Sequence, residues 1–174
     1  GVYGSSAITL VTAQNTHGVS RVHALPAAEV AAQLDAVLSD IGADAVKTGA
    51  IGSVELITTV AGRLRALGAP RLVVDPVMVS KHGHALLAAD AVEALKRELL
   101  PLATLVTPNL HEAAALVGFP IAGEDELADA ARAIGVLGPR AVLVKGGALP
   151  GPLAIDMLWT GDGLERIVAP RIDT

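Results

Sequence analysis

The feature that most constrains the fold is a short apolar run, Leu72-Val73-Val74, which ends at Asp75-Pro76. Such a run of aliphatic residues is typical of a buried strand in a parallel sheet. Proline cannot donate to a strand ladder, so the strand should give way at Asp75 to a loop that continues to Lys81-His82-Gly83. In open α/β sheets, ligands bind beyond the carboxyl ends of the strands. Asp75 is therefore a candidate site residue.

Two further predicted strands end in motifs that carry chemistry. Thr104-Leu105-Val106 is followed by Thr107-Pro108-Asn109, with Glu112 three residues after the asparagine. Ala141–Val144 is followed by Lys145-Gly146-Gly147. An acid, an Asn/Glu pair and a lysine beside glycines at neighbouring strand ends suit a site for a metal and a nucleotide. Each motif also has a plainer interpretation, since Asn-x-x-Glu before a helix is a capping box and Lys-Gly-Gly can be a simple turn.

The alternation of strands and helices predicts an α/β fold, a three-layer α/β/α sandwich with a mostly parallel sheet and right-handed crossovers. Helical spacing of apolar residues predicts helices over residues 26–41, 53–68, 90–99, 110–117 and 124–137. Two short runs, Ile155–Trp159 and Leu164–Val168, flank a Thr-Gly-Asp-Gly segment and predict a C-terminal β-hairpin. At 174 residues, the expected organisation is one domain spanning 1–174.

The first predicted strand covers Ser6–Ala13 and leads into a polar loop, Gln14-Asn15-Thr16-His17-Gly18. Such a cluster at the end of a strand is either a turn or a set of hydrogen-bonding groups for a small polar ligand. A later strand end carries Lys47-Thr48-Gly49, but a lysine in this position is more often solvated.

Charge and composition weigh against several classes of function. The net charge is −5 with no run of like charge, so neither nucleic acid nor an anionic membrane is an expected partner. The sequence shows no apolar run of spanning length and no signal-peptide layout. It has no cysteine, which excludes disulfides, and its five histidines lack zinc-ligand spacing. These features fit a cytoplasmic protein.

The motifs, taken in order, resemble one known family. They are Gly1–Gly4, Val11–Thr16, Lys47–Gly49, Val74–Met78, Val106–Ala113 and Val144–Gly147. Together they resemble phosphomethylpyrimidine kinase, the ribokinase-like enzyme of thiamine biosynthesis that phosphorylates hydroxymethylpyrimidine and its monophosphate with ATP and Mg²⁺. Pyridoxal kinases are close cousins, so a pyridoxal or pyridoxine kinase is the alternative activity. A catalytically incomplete fragment or binding module is the alternative from another class.

The resemblance implies roles for eight residues. Asp75 and Glu112 would organise Mg²⁺; Asn109, Lys145, Gly146 and Gly147 would bind ATP; Gln14 and Val77 would contact the pyrimidine. It also implies a family strand and glycine-rich loop upstream of Gly1, and a Gly-Thr-Gly-Cys loop downstream of Thr174. The expected base and anion hole belong to that downstream loop, so the chain is expected to be a partial kinase domain whose own catalytic residues are unknown. Family members often form homodimers, and a homodimer is the expected assembly.

Overall fold

The computed structural model describes residues 1–68, 71–78 and 89–172. The strands are β1 Leu10–Asn15, β2 Gly18–Ala24, β3 Ala45–Thr48, β4 Arg71–Val74, β5 Leu105–Val106, β6 Ala141–Lys145, β7 Leu153–Thr160 and β8 Gly163–Pro170. The helices are α1 Ala27–Ala36, α2 Val54–Ala66, α3 Ala89–Ala94, α4 Leu110–Val117 and α5 Glu124–Gly135. A π-helical turn extends α1 to Ile41, and π and 3₁₀ turns extend α3 to Leu102. The predicted loop at Lys81–Gly83 lies outside the described residues.

The main sheet has six strands in the order β3-β4-β5-β6-β7-β8. Strands β3 to β6 are parallel, whereas β7 and β8 run antiparallel as a hairpin against β6. The α/β class, the mostly parallel sheet and the C-terminal hairpin are therefore confirmed. The hairpin is longer than predicted, because its backbone pairing continues past the apolar runs to Leu153 and Pro170.

The core lies on one face of this sheet. Val74, Val106 and Val142 are neighbours in register on β4, β5 and β6, and all three are fully buried. The residues that alternate with them, such as Val73 and Leu105, are half-buried and lie outside the core cluster. The described helices thus cover one face of the sheet, and a second helical layer on the other face stays a prediction.

The prediction for the N-terminal strand was wrong in extent. Strand β1 runs from Leu10 through Gln14 to Asn15, and it pairs with β2 in a separate two-stranded antiparallel sheet. The Asn15 side chain closes the turn, since its Oδ1 accepts hydrogen bonds from the N–H groups of His17 (2.9 Å) and Gly18 (3.2 Å). The polar cluster therefore includes a turn, as one of the two interpretations predicted, but the turn comes later than Gln14.

Local capping signals position the helices well. Ser53 caps α2, with its Oγ accepting from the N–H of Leu56 at 3.2 Å. Helix α4 begins and ends at the predicted residues, between Asn109 and the left-handed Gly118 (φ 83°). No helix within the described ranges is long and apolar enough to cross a membrane.

Candidate active site

The candidate site is built where the carboxyl ends of the parallel strands meet. The Asp75 N–H, just after β4, donates to the carbonyl of Thr48 at the end of β3 (3.2 Å). The Lys145 N–H at the end of β6 donates to the carbonyl of Pro108 (2.8 Å), and Asn109 forms an isolated parallel bridge with Lys145. The sheet thereby brings four of the predicted residues, Asp75, Asn109, Glu112 and Lys145, to one edge.

Asp75 lies between two lysines. Its Oδ2 is 3.0 Å from the Nζ of Lys47, and its Oδ1 is 3.4 Å from the Nζ of Lys145. The Asp75 side chain is 22% exposed, whereas that of Lys47 is 60% exposed, so the ion pairs face solvent on the lysine side. Solvent-exposed pairs add little stability, which leaves the arrangement of charge as their main consequence. Lys47 is a candidate-site residue to which sequence reasoning gave too little weight, because a strand-end lysine is more often solvated.

Asn109 and Glu112 form a complete capping box at the start of α4. The Asn109 Oδ1 accepts from the Glu112 N–H (3.0 Å), and Glu112 Oε2 accepts from the Asn109 N–H (2.9 Å). Glu112 is only 4% exposed. Burial raises the pKa of its carboxyl. The negative charge of Asp75 raises this pKa further, whereas the hydrogen bond from the Asn109 N–H and the positive charge of Lys145 lower it. Glu112 therefore belongs electrostatically to the same cluster as Asp75 and Lys145.

The two glycines after Lys145 play different structural parts. Gly146 is buried, and its N–H donates to the Oδ1 of Asp156 on β7 (2.9 Å). A Cβ atom at Gly146 would lie 2.0 Å from the carbonyl oxygen of Ile155, so only glycine fits this close backbone approach. Gly147 is exposed, and a Cβ there would meet no atom within 4 Å.

The carboxylates at this edge of the sheet suit Mg²⁺, which keeps water ligands, better than a metal that is coordinated only by protein side chains. Across the described ranges no group of three or more His, Asp or Glu side chains is placed to hold a metal. Asp75 and Glu112 provide two carboxylates whose charges interact, and one of them is buried enough to raise its pKa. Magnesium typically uses one or two carboxylates and completes its octahedron with waters and substrate phosphates. These two residues would hold the ion.

The two predicted substrate residues are less closely tied to this cluster. Val77 is half-buried, and its N–H donates to the carbonyl of Asp75 (2.8 Å), which places it in the tight turn after β4. Gln14 is exposed on β1, and the hydrogen bonds found among the described residues do not join its side chain to Asp75. The roles of both residues stay predictions.

A cavity of about 930 Å³ lies beside β3, between the N-terminal segment and helices α1 and α2. Its polar lining includes Lys47 and Thr48 at the carboxyl end of β3. The Thr48 Oγ1 is buried and has no hydrogen-bond partner within the described part of the chain. A buried hydroxyl without a partner is unusual, and it makes Thr48 a second residue to which sequence reasoning gave too little weight.

Comparisons of the sequence with protein families and with curated proteins point to the same family. The profile of the phosphomethylpyrimidine kinase family matches residues 1–174. The chain is 54% identical to the hydroxymethylpyrimidine/phosphomethylpyrimidine kinase of Rhizobium meliloti, over 100% of this chain and 65% of that protein. It therefore spans slightly less than two thirds of that relative's length.

Solved structures of related kinases superimpose on this chain. The phosphomethylpyrimidine kinase of Clostridium difficile 630 superimposes with a TM-score of 0.86 at 42% identity, over 95% of this chain and 71% of that one. The ADP complex of Bacillus subtilis pyridoxal kinase superimposes with a TM-score of 0.91 at 34% identity, over 99% of this chain and 66% of that one.

Proposed function

Since the chain belongs to the phosphomethylpyrimidine kinase family, we propose that it is part of an ATP-dependent kinase for hydroxymethylpyrimidine and its monophosphate in thiamine biosynthesis. The observation that carries this proposal is the meeting of Asp75, Lys145 and the Asn109–Glu112 capping box at one edge of the sheet. Phosphoryl transfer depends mainly on positioning and on electrostatic stabilisation, and this edge offers charged groups for both.

In this proposal the nucleotide phosphates lie beside Lys145, Gly146 and Gly147, with Asn109 next to them. Lys145 supplies a point charge for the phosphates, and it is already placed by the bond from its backbone N–H to Pro108. The exposed Gly147 leaves room for a ligand to approach the backbone. The Bacillus subtilis relative was solved with ADP, which supports nucleotide binding by this fold.

Asp75 and Glu112 would hold Mg²⁺, which when bound neutralises charge on the phosphates. In the structure, both oxygens of Asp75 are engaged by lysines. Lys47 and Lys145 are therefore well placed to exchange this partner for phosphate oxygens when the nucleotide enters. A role for Gln14 and Val77 at the pyrimidine, a homodimeric assembly and a cytoplasmic location complete the proposal.

A pyridoxal kinase is the second candidate, favoured by the high TM-score of the Bacillus subtilis enzyme. The two are separated by ADP release with Mg²⁺ and ATP, comparing hydroxymethylpyrimidine, its monophosphate and pyridoxal as acceptors. We expect the pyrimidines to be preferred. Preference for pyridoxal would replace the first proposal by the second.

The same assay tests the site. Asp75→Asn should lower the rate at least tenfold, because it removes the carboxylate that both lysines contact. Asp162→Asn, in the exposed turn of the β7–β8 hairpin, is the matched control and should leave the rate unchanged. Equal rates for both variants would contradict the proposed site. Turnover by the 174-residue chain alone would further show that the expected downstream loop is dispensable.

A further inference from the structure

Arg171 makes an unusual set of contacts just after β8. Its guanidinium donates to four backbone carbonyls, those of Gly147 (2.6 Å), Leu149 (2.5 Å), Gly151 (2.8 Å) and Leu153 (3.2 Å). Its own N–H donates to the carbonyl of Pro152 (3.0 Å). The planar fork of arginine presents five donors in a fixed geometry, and here it binds three carbonyls of one loop and that of Leu153, the first residue of β7. This loop, residues 146–152, directly follows Lys145.

Hydrogen bonds other than those of Arg171 hold the start of the loop. At its start, the Asp156 carboxylate accepts from the Gly146 N–H (2.9 Å), and the turn is closed by the Leu149 N–H donating to the Gly146 carbonyl (2.9 Å). Along its length, the carbonyls of Gly147, Leu149 and Gly151 accept hydrogen bonds from Arg171. Hydrogen bonds from a charged donor are stronger than neutral ones, so these contacts fix the direction of several peptide planes.

The orientation of the Gly147–Ala148 peptide plane determines whether an N–H or a carbonyl oxygen faces a ligand. In a trans peptide the C=O of one residue and the N–H of the next point to opposite sides. Because the Gly147 carbonyl is aimed at Arg171, the Ala148 N–H is aimed away from it. Two of the other carbonyls, those of Leu149 and Gly151, precede prolines and so have no N–H in the same plane. The contact to Gly147 therefore turns this carbonyl oxygen toward Arg171 and leaves the N–H of the exposed Ala148 on the opposite side of the peptide plane.

We propose that Arg171 is a positioning residue of the nucleotide site, which acts by holding the Gly147 carbonyl toward itself so that the Gly147–Ala148 backbone beside Lys145 accepts a phosphate group. This inference rests on the proposed nucleotide-binding function. Arg171 itself does not touch the ligand. Its effect on binding is transmitted through the backbone of residues 146–152.

The test compares Arg171→Ala and Arg171→Lys with a matched control, Arg166→Ala. Arg166 is an arginine on strand β8 that forms a two-bond ion pair with Glu124 (2.6 and 3.1 Å), and the hydrogen bonds found among the described residues do not join its side chain to residues 146–152. Two quantities are measured on the purified protein: the Kd for AMP-PCP with Mg²⁺ by calorimetry, and hydrogen exchange of the peptide covering residues 146–153.

We expect Arg171→Ala to raise exchange within that peptide and to raise the Kd about tenfold. Arg171→Lys should lose nearly as much, because an ammonium group keeps the charge but cannot reach four carbonyls in one plane. Arg166→Ala should leave the Kd within about twofold of the unsubstituted protein.

Three results would overturn the inference. Full affinity in Arg171→Lys would mean that charge alone matters, and faster exchange throughout β6, β7 and β8 would mean a general loss of stability. Normal AMP-PCP binding by Arg171→Ala would show that the loop geometry does not serve the nucleotide. If the unsubstituted protein itself bound no AMP-PCP, the proposed function would be refuted, and the inference with it.

Discussion

Replacing Gly146 by alanine should be among the most damaging single changes in this chain. The added Cβ would lie 2.0 Å from the carbonyl oxygen of Ile155 and 2.9 Å from Leu127 Cδ2, whereas real Cβ contacts stay above 3.0 Å. Strands β6 and β7 would have to separate locally by about 1 Å, because the main obstacle is backbone and cannot rotate away. The bond from the Gly146 N–H to Asp156 would be strained or lost in the process.

Overpacking of this kind and the lost hydrogen bond together cost about 2–5 kcal/mol in the free energy of unfolding. For a chain of this length that corresponds to a fall in Tm of about 4–20 °C. Thermal unfolding followed by circular dichroism measures it, with urea unfolding as the second probe.

Gly147→Ala is the matched control, since a Cβ at that position meets nothing within 4 Å. It should change the free energy of unfolding by less than about 0.5 kcal/mol. Similar Tm values for the two variants would refute the reasoning, because the adjacent glycines differ in the space around them.

Three further predictions concern the strand ends. Thr48→Val should raise the free energy of unfolding by about 1 kcal/mol in urea, because it removes a buried hydroxyl without a partner in the described residues; destabilisation would indicate that the hydroxyl is satisfied. Asn109→Ala should lower the same quantity by about 1 kcal/mol through loss of the α4 cap, and an unchanged midpoint would contradict this. Burial raises the pKa of Glu112 above its usual value of 4.5, so as the pH rises through that value the unfolded chain ionises first and the folded state loses stability. The variant Glu112→Gln has no carboxyl to titrate and so lacks this loss. The free energy of unfolding of Glu112→Gln minus that of the unsubstituted protein, measured in EDTA, should therefore increase from about pH 4 to about pH 7. A difference that stays constant with pH would be inconsistent with the burial of Glu112.

The parts of this structure that the sequence predicts are those with local causes. The end of β4 at Val74, just before Asp75, follows from a proline, and the bounds of α4 follow from Asn109 and Gly118. The site could be outlined in advance because parallel strands carry their terminal residues to one edge. That rule predicts only that these residues lie together, whereas their assignment to ATP and Mg²⁺ came from the resemblance to the kinase family.

The remaining features depend on partners that are distant along the chain. A strand-end lysine such as Lys47 is ordinary until the fold places Asp75 3.0 Å away, 28 residues later. The bonds of Arg171 reach back 18 to 24 residues, and no spacing rule connects an arginine with a run of carbonyls. The N-terminal hairpin was missed because Gln14 and Asn15 are polar, and their extended backbone is stabilised by pairing with β2.

The capping box at Asn109 and Glu112 also sets a limit on how this site can change during evolution. Most substitutions there would damage the start of α4 and the candidate site together, so a lineage that lost selection for catalysis would still retain both residues for folding. Their persistence in a sequence is therefore weak evidence for activity. The ion pair of Lys47 and Asp75 faces solvent on the lysine side and adds little stability, so these residues should be free to vary once catalysis is lost. Their presence therefore reports more directly on whether a member of the family still works as a kinase.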